Sequence, residues 1–102
     1  MTPDDRVLLV FFTSRRSGPA RRMESLLAHL ARKERGRLRV SRVDVDERPD
    51  LARRFRIGQV PSLAVVVGKR VVERLEGRAT APRIQALLAP YLAPREAEEA
   101  AA

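Results

Sequence analysis

The segment Ser17-Gly18-Pro19 constrains the fold of this chain more than any other feature. A continuous apolar run from Val7 to Phe12 precedes it, and apolar residues at helical spacing follow it. A short apolar run bounded by polar residues is typical of a strand that is buried on both faces. Ser17 suits an N-cap, and Pro19 suits a first helical turn, where its missing N–H costs nothing. The sequence therefore predicts a strand, a loop from Thr13 to Ser17, and a helix.

Strand-like and helix-like segments continue to alternate along the rest of the chain. The boundaries are marked by glycine and proline, which break regular structure. The dipeptide Gly68-Lys69 has the length of a tight hairpin turn between two strands. The remaining predicted elements are the first helix, ended by Gly36, a strand over 37–45, a short helix from Pro49 to about Phe55 ended by Gly58, strands over 63–67 and 70–75, and, after Gly77, a helix over 82–92.

This order, β-α-β-α-β-β-α, predicts an α/β domain with a mixed four-stranded sheet and helices on both faces. Strands separated by helices are expected to pair in parallel through right-handed crossovers, and the hairpin makes the last two strands antiparallel. We expect one domain over residues 7–92. Residues 1–6 would form an N-terminal extension and residues 93–102 a flexible C-terminal tail.

Composition limits the classes of partner. The chain has 21 basic and 13 acidic residues and a net charge of +8, so it attracts anionic surfaces, and an acidic protein or extended peptide is a favoured partner. The basic residues are spread along the chain, and its one tyrosine and three phenylalanines offer little aromatic surface on which bases could stack. This pattern disfavours nucleic-acid binding. No apolar run could span a membrane, and no signal peptide is evident, which predicts a cytoplasmic, bacterial-type protein. With one histidine and no cysteine, no metal site is expected.

The landmarks of the sequence resemble the thioredoxin family. They are the segment Ser17-Gly18-Pro19-Ala20 at a helix start, the pair Val60-Pro61, Gly77 after the last hairpin, and the segment from Val43 to Asp46 followed by Pro49. The resemblance extends from about Phe12 to Leu92. It implies a thioredoxin fold, a cis bond before Pro61, and an ancestry in thiol-disulfide exchange.

The departures from the family pattern bear on activity. The two cysteine positions of the family are occupied by Ser17 and Ala20, and its usual tryptophan by Arg16. A buried carboxylate of the family is replaced by Phe11, and its buried lysine by Arg42. We expect no counterpart of the family's first strand and helix, since only six residues precede Val7. The resemblance therefore implies no catalytic residue and no cofactor, and a degenerate motif in place of the redox pair.

A peptide-binding role needs no sulfur. In the family, the backbone N–H and C=O at the position of Val60 face outward and pair with an extended peptide, a mode of strand addition. We therefore expect a redox-inactive binding module that contacts its ligand through Arg16, Ser17, Val60, Pro61 and Gly77. Arginines around the helix start are candidates for binding an anion, because the helix N-terminus is itself positive. They are Arg15, Arg16, Arg21 and Arg22.

Three alternatives stay open at this level. The chain could be a thioredoxin oxidoreductase whose cysteines were replaced by engineering, which cysteine codons at positions 17 and 20 of the gene would reveal. It could bind glutathione or another thiol through Ser17, or Ser17 could serve only as an N-cap.

Arg42 is expected to reach Asp44, Asp46 or solvent. The strand edge at 39–42 is expected to lack a covering strand, so the chain is a monomer or an edge-strand homodimer.

Overall fold

The computed structural model describes residues 6–92, and within them it confirms the predicted order of elements. The predicted tail, 93–102, and the first five residues of the predicted extension lie outside the described residues. The strands are β1 (Val7–Thr13), β2 (Leu38–Asp44), β3 (Ser62–Val67) and β4 (Arg70–Glu76), and the helices are α1 (Gly18–Lys33), α2 (Pro49–Arg54) and α3 (Ala81–Leu88).

The four strands form one mixed sheet in the order β2-β1-β3-β4. β1 and β2 are parallel as predicted, and β3 and β4 are antiparallel as predicted. The expectation that β3 would run parallel to its neighbour is wrong, because β3 is antiparallel to β1. β2 ends beside Thr13, and β3 begins beside Phe12. The connection through the short α2 thus stays at one end of the sheet, so β3 must run back in the opposite direction.

The sheet separates two apolar layers, which confirms helices on both faces. Alternate residues of a strand point to opposite faces. Leu9 and Phe11 pack with buried residues of α1 and α3, whereas Val10 and Phe12 pack with half-buried residues of α2 and the loop after it. On the α2 face the rings of Phe12 and Phe55 lie 5.2 Å apart at an angle of 57°. The sheet is therefore the central layer of the domain, and its strand β1 is almost wholly buried.

The helix ends differ from the predicted ones for local reasons. α1 ends at Lys33, before Gly36, because the carbonyl of Glu34 accepts hydrogen bonds from the N–H groups of Arg37 and Leu38 and turns the chain into β2. After α2 the left-handed residue is Arg56, with φ of 56°, and not Gly58. α3 ends at Leu88, because a proline two residues later has no N–H to donate to the helix, although Ala89 between them still has helical backbone. That proline is Pro90.

Within residues 6–92, no helix has the length and apolar character needed to cross a bilayer.

Candidate functional site

The topology brings the predicted site residues to one end of the sheet. β1 leads through a four-residue loop, 14–17, to α1, and β3 begins directly after Pro61. Ser62 pairs with Phe12 on one side and with Glu76 on the other. The start of α1, the pair Val60-Pro61 and Gly77 therefore belong to the same end. We call this set, residues 16–20 with Val60, Pro61 and Gly77, the candidate site.

Ser17 caps α1. Its Oγ accepts a hydrogen bond of 3.1 Å from the N–H of Ala20, and its carbonyl accepts one from Arg21. Its backbone is extended, which is the usual geometry of an N-cap, and Pro19 lies in the first turn. A Cβ on Gly18 would meet nothing within 4 Å, so the space above the helix start is open. The predicted capping role is confirmed, and the hydroxyl hydrogen of Ser17 can still be donated to a ligand.

Ser14, which the sequence reasoning missed, fixes the loop before α1. The Ser14 side chain is buried and donates a hydrogen bond of 2.7 Å to Asp46. Its Oγ also accepts from the N–H of Arg16 at 3.2 Å. Asp46 in turn follows β2, so the loop carrying Arg16 is held against the end of a second strand. A serine after an apolar run gives little signal in a sequence, because serines are common in loops.

The backbone of Val60 is held from both sides while its own polar groups stay open. The preceding carbonyl, of Gln59, accepts a 2.7 Å bond from the buried hydroxyl of Ser62, and the following carbonyl, of Pro61, accepts a 2.8 Å bond from Gly77. Among residues 6–92 neither the N–H nor the C=O of Val60 has a hydrogen-bond partner. The bond between Val60 and Pro61 is cis. Val60 thus offers one donor and one acceptor beside a packed side chain.

The backbone conformation at position 77 favours glycine. Its φ of 88° lies in the region that side chains with a Cβ rarely adopt, whereas the nearest atom to a built Cβ is 3.8 Å away. The constraint is therefore conformational and not one of space. This conformation lets the Gly77 N–H reach the carbonyl of Pro61, so Gly77 ties the end of β4 to the candidate site.

The four candidate arginines differ in their surroundings. All four side chains are exposed, and the first turn of α1 holds no acidic residue. Arg15 forms an exposed ion pair of 3.4 Å with Glu47. The side chains of Arg16, Arg21 and Arg22 have no hydrogen-bond or ion-pair partner in the described part of the chain. Among the described residues, Glu47 is thus the one acidic partner of these four arginines.

Phe11 and Arg42 occupy the positions at which the family pattern has a buried carboxylate and a buried lysine. In this chain the first is a packed ring and the second forms a surface ion pair. Phe11 is 1% exposed and lies in the core under α1. Arg42, its neighbour across the strands, pairs with Glu24 of α1. The expectation that Arg42 would turn to Asp44 or Asp46 is wrong in its partner, although more than half of the side chain is exposed to solvent as expected. The helix brings Glu24 closer than the strand brings its own acids.

The chemistry open to the candidate site follows from these contacts. No thiol exists anywhere in the chain. The lone histidine, His29, is exposed on α1, and the only hydrogen-bond partner of the Ser17 hydroxyl among residues 6–92 is the Ala20 N–H, so no base activates it. Within the same residues no group of three or more histidine or acidic side chains could hold a metal ion. The described residues of the candidate site offer hydrogen-bonding groups and positive charge to a ligand.

Comparison with known proteins agrees with this geometry. The family model described as Thioredoxin matches residues 1–90 of the chain. The chain belongs to the thioredoxin family. A thioredoxin of Alicyclobacillus acidocaldarius subsp. acidocaldarius is 32% identical over 88 residues, which cover 86% of this chain and 84% of that protein. The family resemblance read from the landmark residues is therefore confirmed.

Other relatives place the match in larger proteins and in solved structures. The bifunctional thioredoxin reductase/thioredoxin of Mycobacterium leprae (strain TN) is 30% identical over 73 residues, but this chain spans only 16% of its length. The crystal structure of the germline-specific thioredoxin Deadhead of Drosophila melanogaster superposes with a TM-score of 0.79 at 26% identity, covering 85% of this chain and 82% of that one. The thioredoxin fold that the resemblance implies is thus confirmed.

Proposed function

We propose that this thioredoxin-family chain is a redox-inactive module that binds an extended, preferably acidic, segment of another protein. The observation that carries the proposal is the Val60 backbone, whose N–H and C=O have no partner within residues 6–92, while the carbonyls on both sides accept hydrogen bonds. An extended peptide strand can satisfy such a pair, and the exchange of two hydrogen bonds fixes its register. Membership of the thioredoxin family supports the fold on which this binding mode depends.

Charge supports the acidic preference. Arg16, Arg21 and Arg22 lie at the positive end of α1, and their guanidinium groups have no partner among residues 6–92. The net charge of the chain is +8. An acidic residue in the peptide would lower the repulsion among these groups. Each such contact is exposed and contributes less than about 1 kcal/mol, so we expect charge to select among peptides and backbone pairing to hold them.

The absence of a redox reaction is tested by insulin reduction with dithiothreitol. The wild-type chain is expected to give the background rate, because no thiolate can attack the insulin disulfide. A thioredoxin with both cysteines serves as the positive control, and a Ser17→Cys/Ala20→Cys double variant tests whether the scaffold itself suppresses the reaction. Turnover above background by the wild-type chain would overturn this part of the proposal.

Peptide binding is tested with a phage-displayed library of random nonapeptides selected on the wild-type chain. Enriched peptides are then made with a single N-methyl group at each position in turn, which removes one backbone donor without changing side chains. Strand addition predicts that one N-methylated position abolishes binding and that its neighbours, whose N–H groups face away, do not. Equal effects at all positions, or amide shifts in the NMR spectrum that spare Val60 and Ser62, would contradict the proposed mode.

A further inference from the structure

A groove beside the candidate site is not used by the backbone pairing proposed above. One wall is a stripe of α1 whose residues follow one another at i, i+3, i+4 and i+7, the spacing that places side chains on one helix face. The other wall is the segment 78–80, which leads into α3. We call this feature the 22/78 groove. Its α1 wall consists of Pro19, Arg22, Met23 and Leu26.

The chemistry of the groove is apolar at the base and positive at the rim. Met23 is only 4% exposed and forms the base, with the half-buried Leu26 and Ala79 beside it. Arg22 and Arg78, one on each wall, are exposed, and neither has a hydrogen-bond or ion-pair partner among residues 6–92. Of the residues within 6–92 that line the groove, none is acidic. An apolar side chain fits the base, and a negative charge fits the rim.

The groove is continuous with the candidate site. Pro19 belongs to both, since it lies in the first turn of α1 and lines the groove. On the opposite wall Arg78 follows Gly77, whose N–H is bonded to the carbonyl of Pro61. A peptide paired with Val60 therefore passes the entrance of the groove within a few residues. An extended nonapeptide is about 30 Å long, which is ample for both contacts.

We infer that the 22/78 groove is a specificity subsite of the proposed peptide-binding site, and that it takes a large apolar side chain flanked by aspartate or glutamate. This inference rests on the proposed function, because the groove acts on a peptide held at Val60. The two arginines share a sign and have no partner in the described part of the chain, so a carboxylate at the rim gains from both. The apolar side chain gains by covering Leu26 and Ala79. A basic flank meets two like charges and is rejected.

The test uses the nonapeptide library selected on the full chain. We expect enriched peptides to share a large aliphatic or aromatic residue next to an acid. For one such peptide, the Arg22→Glu/Arg78→Glu variant should bind about tenfold more weakly, and it should gain affinity for the matching lysine-flanked peptide. The control is Lys69→Glu/Arg70→Glu, which makes the same change in net charge in the β3–β4 turn and at the first residue of β4, at the opposite end of β3 from Pro61. It should change the affinity by less than about threefold.

A second readout separates this inference from the proposed function. The chain contains two methionines, Met1 and Met23, so the ¹³C-methyl signal of Met23 reports directly on the base of the groove. Binding with shifts at both the Val60 region and the Met23 methyl supports the subsite. Shifts at Val60 and Ser62 with a silent Met23 methyl, or equal losses in both charge variants, overturn the subsite and leave the proposed function standing. If no peptide binds the wild-type chain, both fall.

Discussion

The capping hydrogen bond of Ser17 allows a stability prediction that is also a test of the role of this residue. Replacing Ser17 with alanine removes the acceptor that lies 3.1 Å from the Ala20 N–H and leaves that donor without a protein partner. Loss of a serine N-cap costs about 1 kcal/mol, within a range of roughly 0.5 to 2 kcal/mol. For a domain of this size, each such loss lowers the melting temperature by about 4–8 °C.

Ser17→Asp is the informative partner of that variant. Aspartate keeps an acceptor at the cap and adds a negative charge at the positive end of α1, where no acidic residue lies in the first turn. A charge placed there stabilises by about 0.3 to 1 kcal/mol. We therefore expect Ser17→Asp to be more stable than Ser17→Ala by about 1 to 2 kcal/mol. The acidic peptide of the proposed function should nevertheless bind it more weakly, because the new charge repels it.

Urea unfolding followed by far-UV circular dichroism measures these differences at neutral pH and low salt. Two controls calibrate the scale. Ser25→Ala changes an exposed serine in the middle of α1 and should be neutral or slightly stabilising. Thr80→Ala removes the cap of α3, whose hydrogen bond to Arg83 is longer at 3.4 Å, and should cost less than Ser17→Ala. A Ser17→Ala variant within 0.3 kcal/mol of the wild type (about the scatter expected) would refute the capping argument.

Three further outcomes follow from other parts of the chain. Phe11→Ala should cost about 3–5 kcal/mol in urea unfolding, because the ring is 1% exposed, and a loss below about 1 kcal/mol would show that the ring is not a packing element. The hydrogen bond from Arg48 lowers the pKa of Asp50, so the pair stabilises the fold above the pKa of an unfolded aspartate, and this stabilisation is lost as the pH falls through the lower pKa of the folded state. Asp50→Asn should therefore be less stable than the wild type at pH 7 and as stable as the wild type near pH 2. A difference in unfolding free energy that stays constant with pH would contradict the pairing. Sedimentation velocity at low salt should give a monomer, since two chains of +8 would have to bring the edges of β2 together, and a dimer under those conditions would favour the edge-strand homodimer.

Local rules in the sequence account for much of the fold. The cap at Ser17, the proline in the first turn of α1 and the two-residue hairpin turn were all predicted from residue types whose conformational preferences act within a few positions. The shorter α3 has a local cause of the same kind, the missing N–H of Pro90. The direction of β3 was missed because the parallel rule assumes a crossover long enough to return the chain to its starting end.

The parts of the site that were missed depend on residues far apart in the chain. The Ser14–Asp46 hydrogen bond spans 32 positions, and the rim of the 22/78 groove joins Arg22 to Arg78 across two elements. Nothing in a single sequence marks such pairs when arginine and serine are common. Glu24 as the partner of Arg42 is similar, because it depends on the packing of α1 over β2. Sequence reasoning thus found the backbone landmarks of the site and not the side chains that surround them.

The residue at position 11 helps to distinguish two reasons for the absence of cysteine at positions 17 and 20. Substitution of two cysteines for a trapping experiment would change positions 17 and 20 and leave position 11 unaltered. Phe11 is buried in the cluster that joins β1 to α1, and its cross-strand neighbour Arg42 is engaged with Glu24 at the surface. A carboxylate at position 11 would be costly to bury and is useful only where its proton is used. A ring at position 11 fills the core instead, which supports the proposed binding module over an oxidoreductase altered only at positions 17 and 20.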